Sequence, residues 1–282
     1  MSSEHTLTIN QQLFHYHETA EGEPVVMLHC SGGDHRQWKG MEHYLTQHRF
    51  ITPDFAGYGR SVPFTPWRGD DNPDLRMVTQ ILEGLDQPCH LVGHSYGGGK
   101  ALQAAIRVPW QVKTLTLIDP AAIRVLNKPD GHSASFREFC SIGDAITQYM
   151  RSGACSSAAK QFFGFWQGLD DQFESAVPVQ PEQIACMKKI FHEFSELMLP
   201  DYSARDMASL TMPVHLIKGE RTKPIVHDVI DDLVSRVAVT RQTIVPGAGH
   251  LLPLTHRAPT FQAVSDFIST HSVPDPVCVD AA

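Results

Sequence analysis

A serine hydroxyl becomes a nucleophile when a base takes its proton and the chain presents it to a substrate. Leu91-Val92-Gly93-His94-Ser95-Tyr96-Gly97-Gly98 offers that presentation. An apolar run ends, a G-x-S-x-G pentapeptide turns, and a helix-forming stretch with Lys100-Ala101-Leu102 follows, which is the context a nucleophile elbow requires. Glycines at 93 and 97 permit a bend too tight for side chains. Ser95 is thereby held in a strained, exposed position at a helix N-terminus, where the dipole favours developing negative charge. The base that suits it is His250, in Val245-Pro246-Gly247-Ala248-Gly249-His250-Leu251-Leu252-Pro253. It follows the last apolar run on a glycine-rich turn that can reach across the top of a sheet.

A tetrahedral oxyanion needs donors. His29-Cys30-Ser31-Gly32-Gly33 follows an early apolar run, and its small residues leave backbone N–H groups free to point into a site. The expected donors are the amide of Ser31, or that of Cys30, together with the amide of Tyr96. Neither Cys30 nor Ser31 sits at a strand–turn–helix elbow, so neither is read as the nucleophile.

The elements that must position these residues are visible as alternation. Thr6–Tyr16 and Pro24–His29 read as strands, the second apolar on consecutive positions as in a strand covered on both faces. Short runs recur at Arg49–Thr52, His90–Gly93, Leu115–Ile118, Val214–Lys218 and Thr243–Val245. Helical patterns lie between them at His35–Gln47, Leu75–Leu85, Tyr96–Arg107, Val226–Val237 and Ala258–Thr270. That rhythm predicts an α/β fold with a mostly parallel central sheet and helices on both faces. It breaks between Ala122 and Ala208, where helical patterns at Ser141–Arg151, Ala158–Trp166 and Pro181–Met198 carry dense aromatics. The domain reading is a core of residues 1–121 and 209–272, a helical insert of 122–208, and a loose tail from 273 to 282.

The elbow, the Ser31 segment and the closing Gly-Ala-Gly-His, in this order, resemble the α/β-hydrolase superfamily. So does Pro53-Asp54-Phe55-Ala56-Gly57-Tyr58-Gly59-Arg60-Ser61, which is similar to that superfamily's loop after the fourth strand. The resemblance runs from about Thr6 to Ser269 and implies that the 122–208 insert is a helical cap. Many members place the triad's acid three residues after a glycine that ends the seventh strand. Here Gly219-Glu220-Arg221-Thr222 puts Thr222 there. Some members carry the acid at the end of the sixth strand, where Asp119 stands in Leu117-Ile118-Asp119-Pro120. Asp119 is the favoured acid and Glu220 the alternative.

The serine, base and oxyanion donors predict acyl transfer to water; the resemblance supplies no substrate, and a small to medium, partly apolar carboxylic ester is the one expected from the residues. Phe162, Phe165 and Trp166 are the candidate pocket residues. Lactones, amides and carbon–carbon bonds use the same machinery, as do hydroxynitrile lyases and cofactor-free haloperoxidases; a ligand-binding protein with a vestigial triad is the rival outside catalysis. A serine at 95 argues against reactions that need a carboxylate nucleophile. No cofactor and no metal is expected. With 23 basic and 31 acidic residues, a formal charge of −8 and no basic block, nucleic acid is not an expected partner. No apolar run is long enough to span a membrane. The six cysteines show no C-x-x-C spacing and read as reduced thiols of a cytoplasmic protein.

Overall fold

The computed structural model describes residues 2–9, 11–19, 21–67, 72–128, 131–167, 179–199 and 201–272. The expected loose tail at 273–282 therefore lies outside the described residues, as does Cys278. The chain opens with a hairpin, β1 (Ser2–Ile9) against β2 (Gln12–Thr19), where the sequence pattern suggested one strand over Thr6–Tyr16. Gln11 turns at φ 64°. No glycine or proline marks that reversal, so the alternation reads straight through it.

Next come β3 (Glu23–Leu28), β4 (His48–Pro53) and β5 (Cys89–His94), then β6 (Val112–Ile118), β7 (Val214–Gly219) and β8 (Val239–Val245). They form one eight-stranded sheet in the order β1-β2-β4-β3-β5-β6-β7-β8. Pairing is parallel from β4 to β8 and antiparallel at β1–β2 and β2–β4. The period of two divides each central strand between two cores. Val26, Leu28, Leu91, Leu117 and Leu216 enter one; Val25, Met27, Val92, Ile118 and Ile217 enter the other. Each fully buried aliphatic side chain here contributes about 1.5–3 kcal/mol.

α1 (Pro73–Glu83) begins at Asn72, whose side chain accepts from the amides of Asp74 and Leu75, and α2 (Tyr96–Arg107) springs directly from β5. The stretch between β6 and β7 holds α3 (Ala134–Arg151), α4 (Cys155–Gln167), α5 (Pro181–Ala185), α6 (Met187–Leu197) and α7 (Ala204–Ala208). α8 (Pro224–Arg236) joins β7 to β8, and α9 (Leu252–Thr255) and α10 (Arg257–Ser269) close the described chain. The helix expected over His35–Gln47 is instead two 3₁₀ turns, His35–Trp38 and Met41–His43, parted by Gly40 at φ 97°.

β3 is flanked by β4 on one side and β5 on the other, so successive crossovers leave it in opposite directions. In an open α/β sheet, such a switch point leaves a crevice at the strands' carboxyl ends. The segment after Leu28 and the turn after His94 both lie there.

Candidate active site

The bend at Ser95 is enforced from both sides. Ser95 itself sits at φ 53°, ψ −118°, a conformation that L-residues rarely adopt. A Cβ on Gly93 would stand 2.3 Å from the carbonyl oxygen of Gly97, and one on Gly97 would stand 2.4 Å from that of Leu28. Backbone bonds tie the bend to its neighbours: Ser95 N–H donates to Ile118, Gly97 N–H to His29, and Ala121 N–H to Ser95.

The structure brings three expected residues into a line. His250 Nε2 lies 2.9 Å from Ser95 Oγ, and His250 Nδ1 lies 3.2 Å from Asp119 Oδ2. Asp119 has no exposed surface, and its φ of 40° is one that aspartate tolerates better than most residues. Its carboxylate also accepts the amide of Gly219 at 3.1 Å and the hydroxyl of Thr222 at 2.5 Å. As an acceptor only, the carboxylate requires His250 to place its proton on Nδ1, which leaves the Nε2 lone pair facing Ser95. The His250 carbonyl receives His94 Nε2 at 2.8 Å; burial drives His94 down to about 3, so it stays a neutral donor. The Trp166 indole stacks on the His250 ring, with centroids 4.1 Å apart.

Glu220 is not brought to His250. Its carboxylate accepts the Gly247 amide at 2.7 Å, facing the opposite end of the same loop. The Cys30 amide is likewise engaged, donating to Gln37 Oε1 at 3.2 Å, and burial pushes the Cys30 thiol up to about 12. Among the described residues, the amides of Ser31 and Tyr96 have no partner, and both residues line the cavity at Ser95.

That cavity is narrow, about 20 Å³, and is walled by Phe139, Phe162, Trp166, Ile190, Phe194 and Leu197. Phe162 and Trp166 thus reach it. Phe165 does not: it packs on Phe139 and Trp166, and the Lys223 ammonium covers its ring. Phe162 and Trp166 share a face at i, i+4, whereas Phe165 stands at the edge of that stripe.

Sequence reasoning missed Glu193. This α6 residue is 2 % exposed and lines the same cavity, where it accepts Ser31 Oγ–H at 2.5 Å and Tyr58 O–H at 3.0 Å. A glutamate amid helical polar positions reads as solvated surface, and nothing local to residues 187–197 announces that the helix lies over Ser31. Two groups, Glu23–His48–His90 and Asp34–His35–Asp54, bring metal-type side chains together. Neither borders the Ser95 cavity, and their carboxylates already have partners in Lys113 and in the His35 and Arg60 amides.

The sequence matches the profile of the family described as "Alpha/beta hydrolase family" over residues 25–263. It is 32 % identical over 270 residues to a 2-hydroxymuconate semialdehyde hydrolase from Pseudomonas sp. strain CF600, covering 90 % of this chain and 89 % of that protein. It is 36 % identical over 97 residues to lipase LipV of Mycobacterium tuberculosis, covering 34 % of this chain and 37 % of the lipase. Among solved structures, a meta-cleavage product hydrolase from Pseudomonas fluorescens IP01 superposes with a TM-score of 0.67 at 17 % identity, covering 95 % of this chain and 98 % of the other.

Proposed function

Because the chain belongs to the alpha/beta hydrolase family, we propose that it is a serine hydrolase that cleaves a small to medium, partly apolar carboxylic ester through an acyl-enzyme. The observation that carries this reading is the 2.9 Å approach of His250 Nε2 to Ser95 Oγ, with Asp119 behind the ring.

In this mechanism His250 takes the Ser95 proton as the oxygen attacks the carbonyl. Asp119 holds the imidazole's tautomer and stabilises the imidazolium, whose charge also meets the face of Trp166. The oxyanion is received by the amides of Ser31 and Tyr96, and losing one such donor typically costs about 10²–10³ in turnover. The Cys30 amide is excluded from that role by its bond to Gln37. Protonated His250 then gives its proton to the leaving alcohol, and water, activated by the same ring, releases the acid.

The helices between β6 and β7 act as a cap that excludes water and supplies the apolar wall. Cys30, Cys89, Cys140, Cys155 and Cys186, all free thiols, support a cytoplasmic setting. A panel of 4-nitrophenyl esters of rising acyl length tests the reading: kcat/KM should peak at a short to medium chain, limited by the apolar wall of the cavity, and should vanish in Ser95→Ala. Activity retained by that variant would sink it.

The relative named for 2-hydroxymuconate semialdehyde hydrolysis, similar over nine-tenths of the chain, favours a second reading, carbon–carbon bond hydrolysis at the same serine. Turnover of a vinylogous 1,5-diketone exceeding that of every ester in the panel would select it.

A further inference from the structure

Glu193 is a buried carboxyl that the acyl-transfer steps above do not use. Its surroundings hold an imbalance of charge. Among the described residues, the Lys189 ammonium is the cation paired with both Asp74 and Glu193, one cation for two carboxylates. The neighbouring Lys100–Glu196 pair is matched one to one, with Asn72 and Gln103 completing the Glu196 carboxylate. Asp74 is closed off: it also takes the Ala56 amide and the Tyr96 hydroxyl, and it has no exposed surface. Glu193 takes Tyr58 and Lys189 on Oε1 but only Ser31 on Oε2. A carboxylate offers about four lone-pair sites, so Oε2 keeps one for the cavity it lines.

We propose that Glu193 is a subsite for an ammonium group of the substrate, so that the preferred ester carries a primary amine a few atoms from its scissile carbonyl; this deepens the serine-hydrolase reading and rests on it. Ser31 sets the position, since its amide is the proposed oxyanion donor while its hydroxyl holds Glu193. The bound ammonium is the missing second cation of the Lys189 cluster. Burial, with Asp74 adding to it and Lys189, Ser31 and Tyr58 opposing it, drives the Glu193 carboxyl up to about 7. Below about pH 7 a proton therefore holds the place of the absent cation when no substrate is bound. Of the other titratable groups facing Glu193, Cys30 and Cys186 are neutral thiols, each raised to about 12, and Tyr58 is raised well above its ordinary value. Aromatic walls at Phe162, Trp166 and Phe194 add cation–π attraction.

The test uses the whole protein at pH 8 and two readouts. Calorimetric titration should show butylammonium binding to the wild type at least about tenfold more tightly than 1-butanol, with that advantage lost in Glu193→Gln. In turnover, the wild type should prefer the 4-nitrophenyl ester of β-alanine to 4-nitrophenyl butyrate by about tenfold or more in kcat/KM, and the ratio should fall towards one in the variant. Equal binding of butylammonium and butanol by the wild type overturns the subsite without recourse to a variant that could misfold. Hydrolysis of both esters with no preference overturns the subsite and leaves the hydrolase reading standing. Butylammonium held through Glu193 with neither ester cleaved does the reverse.

Discussion

Thr222 stands where many relatives of this fold would carry the acid, and its hydroxyl donates to Asp119 Oδ2 at 2.5 Å. The proposed acid and its usual position thus remain in contact, with the carboxylate delivered by the end of β6 and a hydroxyl donor by the loop after β7. Gly219 N–H, from that same strand end, holds the other oxygen at 3.1 Å.

Asp119→Asn should lower kcat by about 10⁴ with the fold intact, because an amide cannot enforce the Nδ1–H tautomer of His250. Glu220→Gln should leave kcat within about threefold, since a neutral amide oxygen still accepts the Gly247 amide. Steady-state kinetics on one ester decides between them, and the opposite ranking would move the acid to Glu220.

Moving the acid back is a sharper form of the same experiment. In the Asp119→Asn background, adding Thr222→Asp should recover at least about tenfold of the lost kcat, since residue 222 already reaches the spot that serves His250. Thr222→Val alone should reduce kcat by roughly tenfold, and Thr222→Ser should restore it. A valine variant as active as the wild type would show that the hydroxyl orients nothing.

Legibility in the sequence follows where the signal lies along the chain. The elbow was plain because β5, its turn and α2 are contiguous, and Gly93 and Gly97 mark a clash that any side chain would meet. The parallel sheet was plain because Val25–Leu28 is apolar on consecutive positions and must be covered on both faces. The hairpin turn at Gln11 and the break at Gly40 were not, since Asn10-Gln11 carries no glycine or proline to punctuate the alternation and a single glycine does not by itself end a helical pattern. Glu193 was invisible for a different reason: its partners Ser31 and Tyr58 lie more than a hundred positions away, and only tertiary packing brings α6 over them.

Gly97→Ala should cost about 3 kcal/mol or more, because the added methyl meets main-chain oxygens of Leu28 and His29 that cannot rotate away. For a chain of this size the melting temperature should fall by roughly 6–12 °C. Gly40→Ala, where a Cβ meets nothing within 4 Å, isolates the strain of a positive φ and should cost about 1 kcal/mol. Similar losses for the two would argue that close approach does not enforce the elbow.

Stability should depend on pH through Glu193 with a definite sign. Its carboxyl is raised from 4.5 to about 7, so the folded state holds a proton that the unfolded chain releases. That contribution is full below about pH 4.5 and is lost as pH rises through about 7. Buried His90, His94 and His215, lowered to about 4, 3 and 3, act oppositely: their contribution is present above about 6.5 and is lost in acid. The difference in melting temperature between Glu193→Gln and the wild type separates the two effects. It should grow in the variant's favour from about pH 4.5 to 7 and then level, and a flat difference would contradict the assignment.

Covalent labelling reads the activation of Ser95 as a nucleophile without knowledge of the substrate. A fluorophosphonate at pH 8 should add one equivalent, mapped by mass spectrometry to Ser95. Labelling should be absent in Ser95→Ala and slowed by about 10² or more in His250→Ala, which lacks the base. An unlabelled protein, or an adduct on Ser31 or Cys30 with Ser95 untouched, would contradict the account.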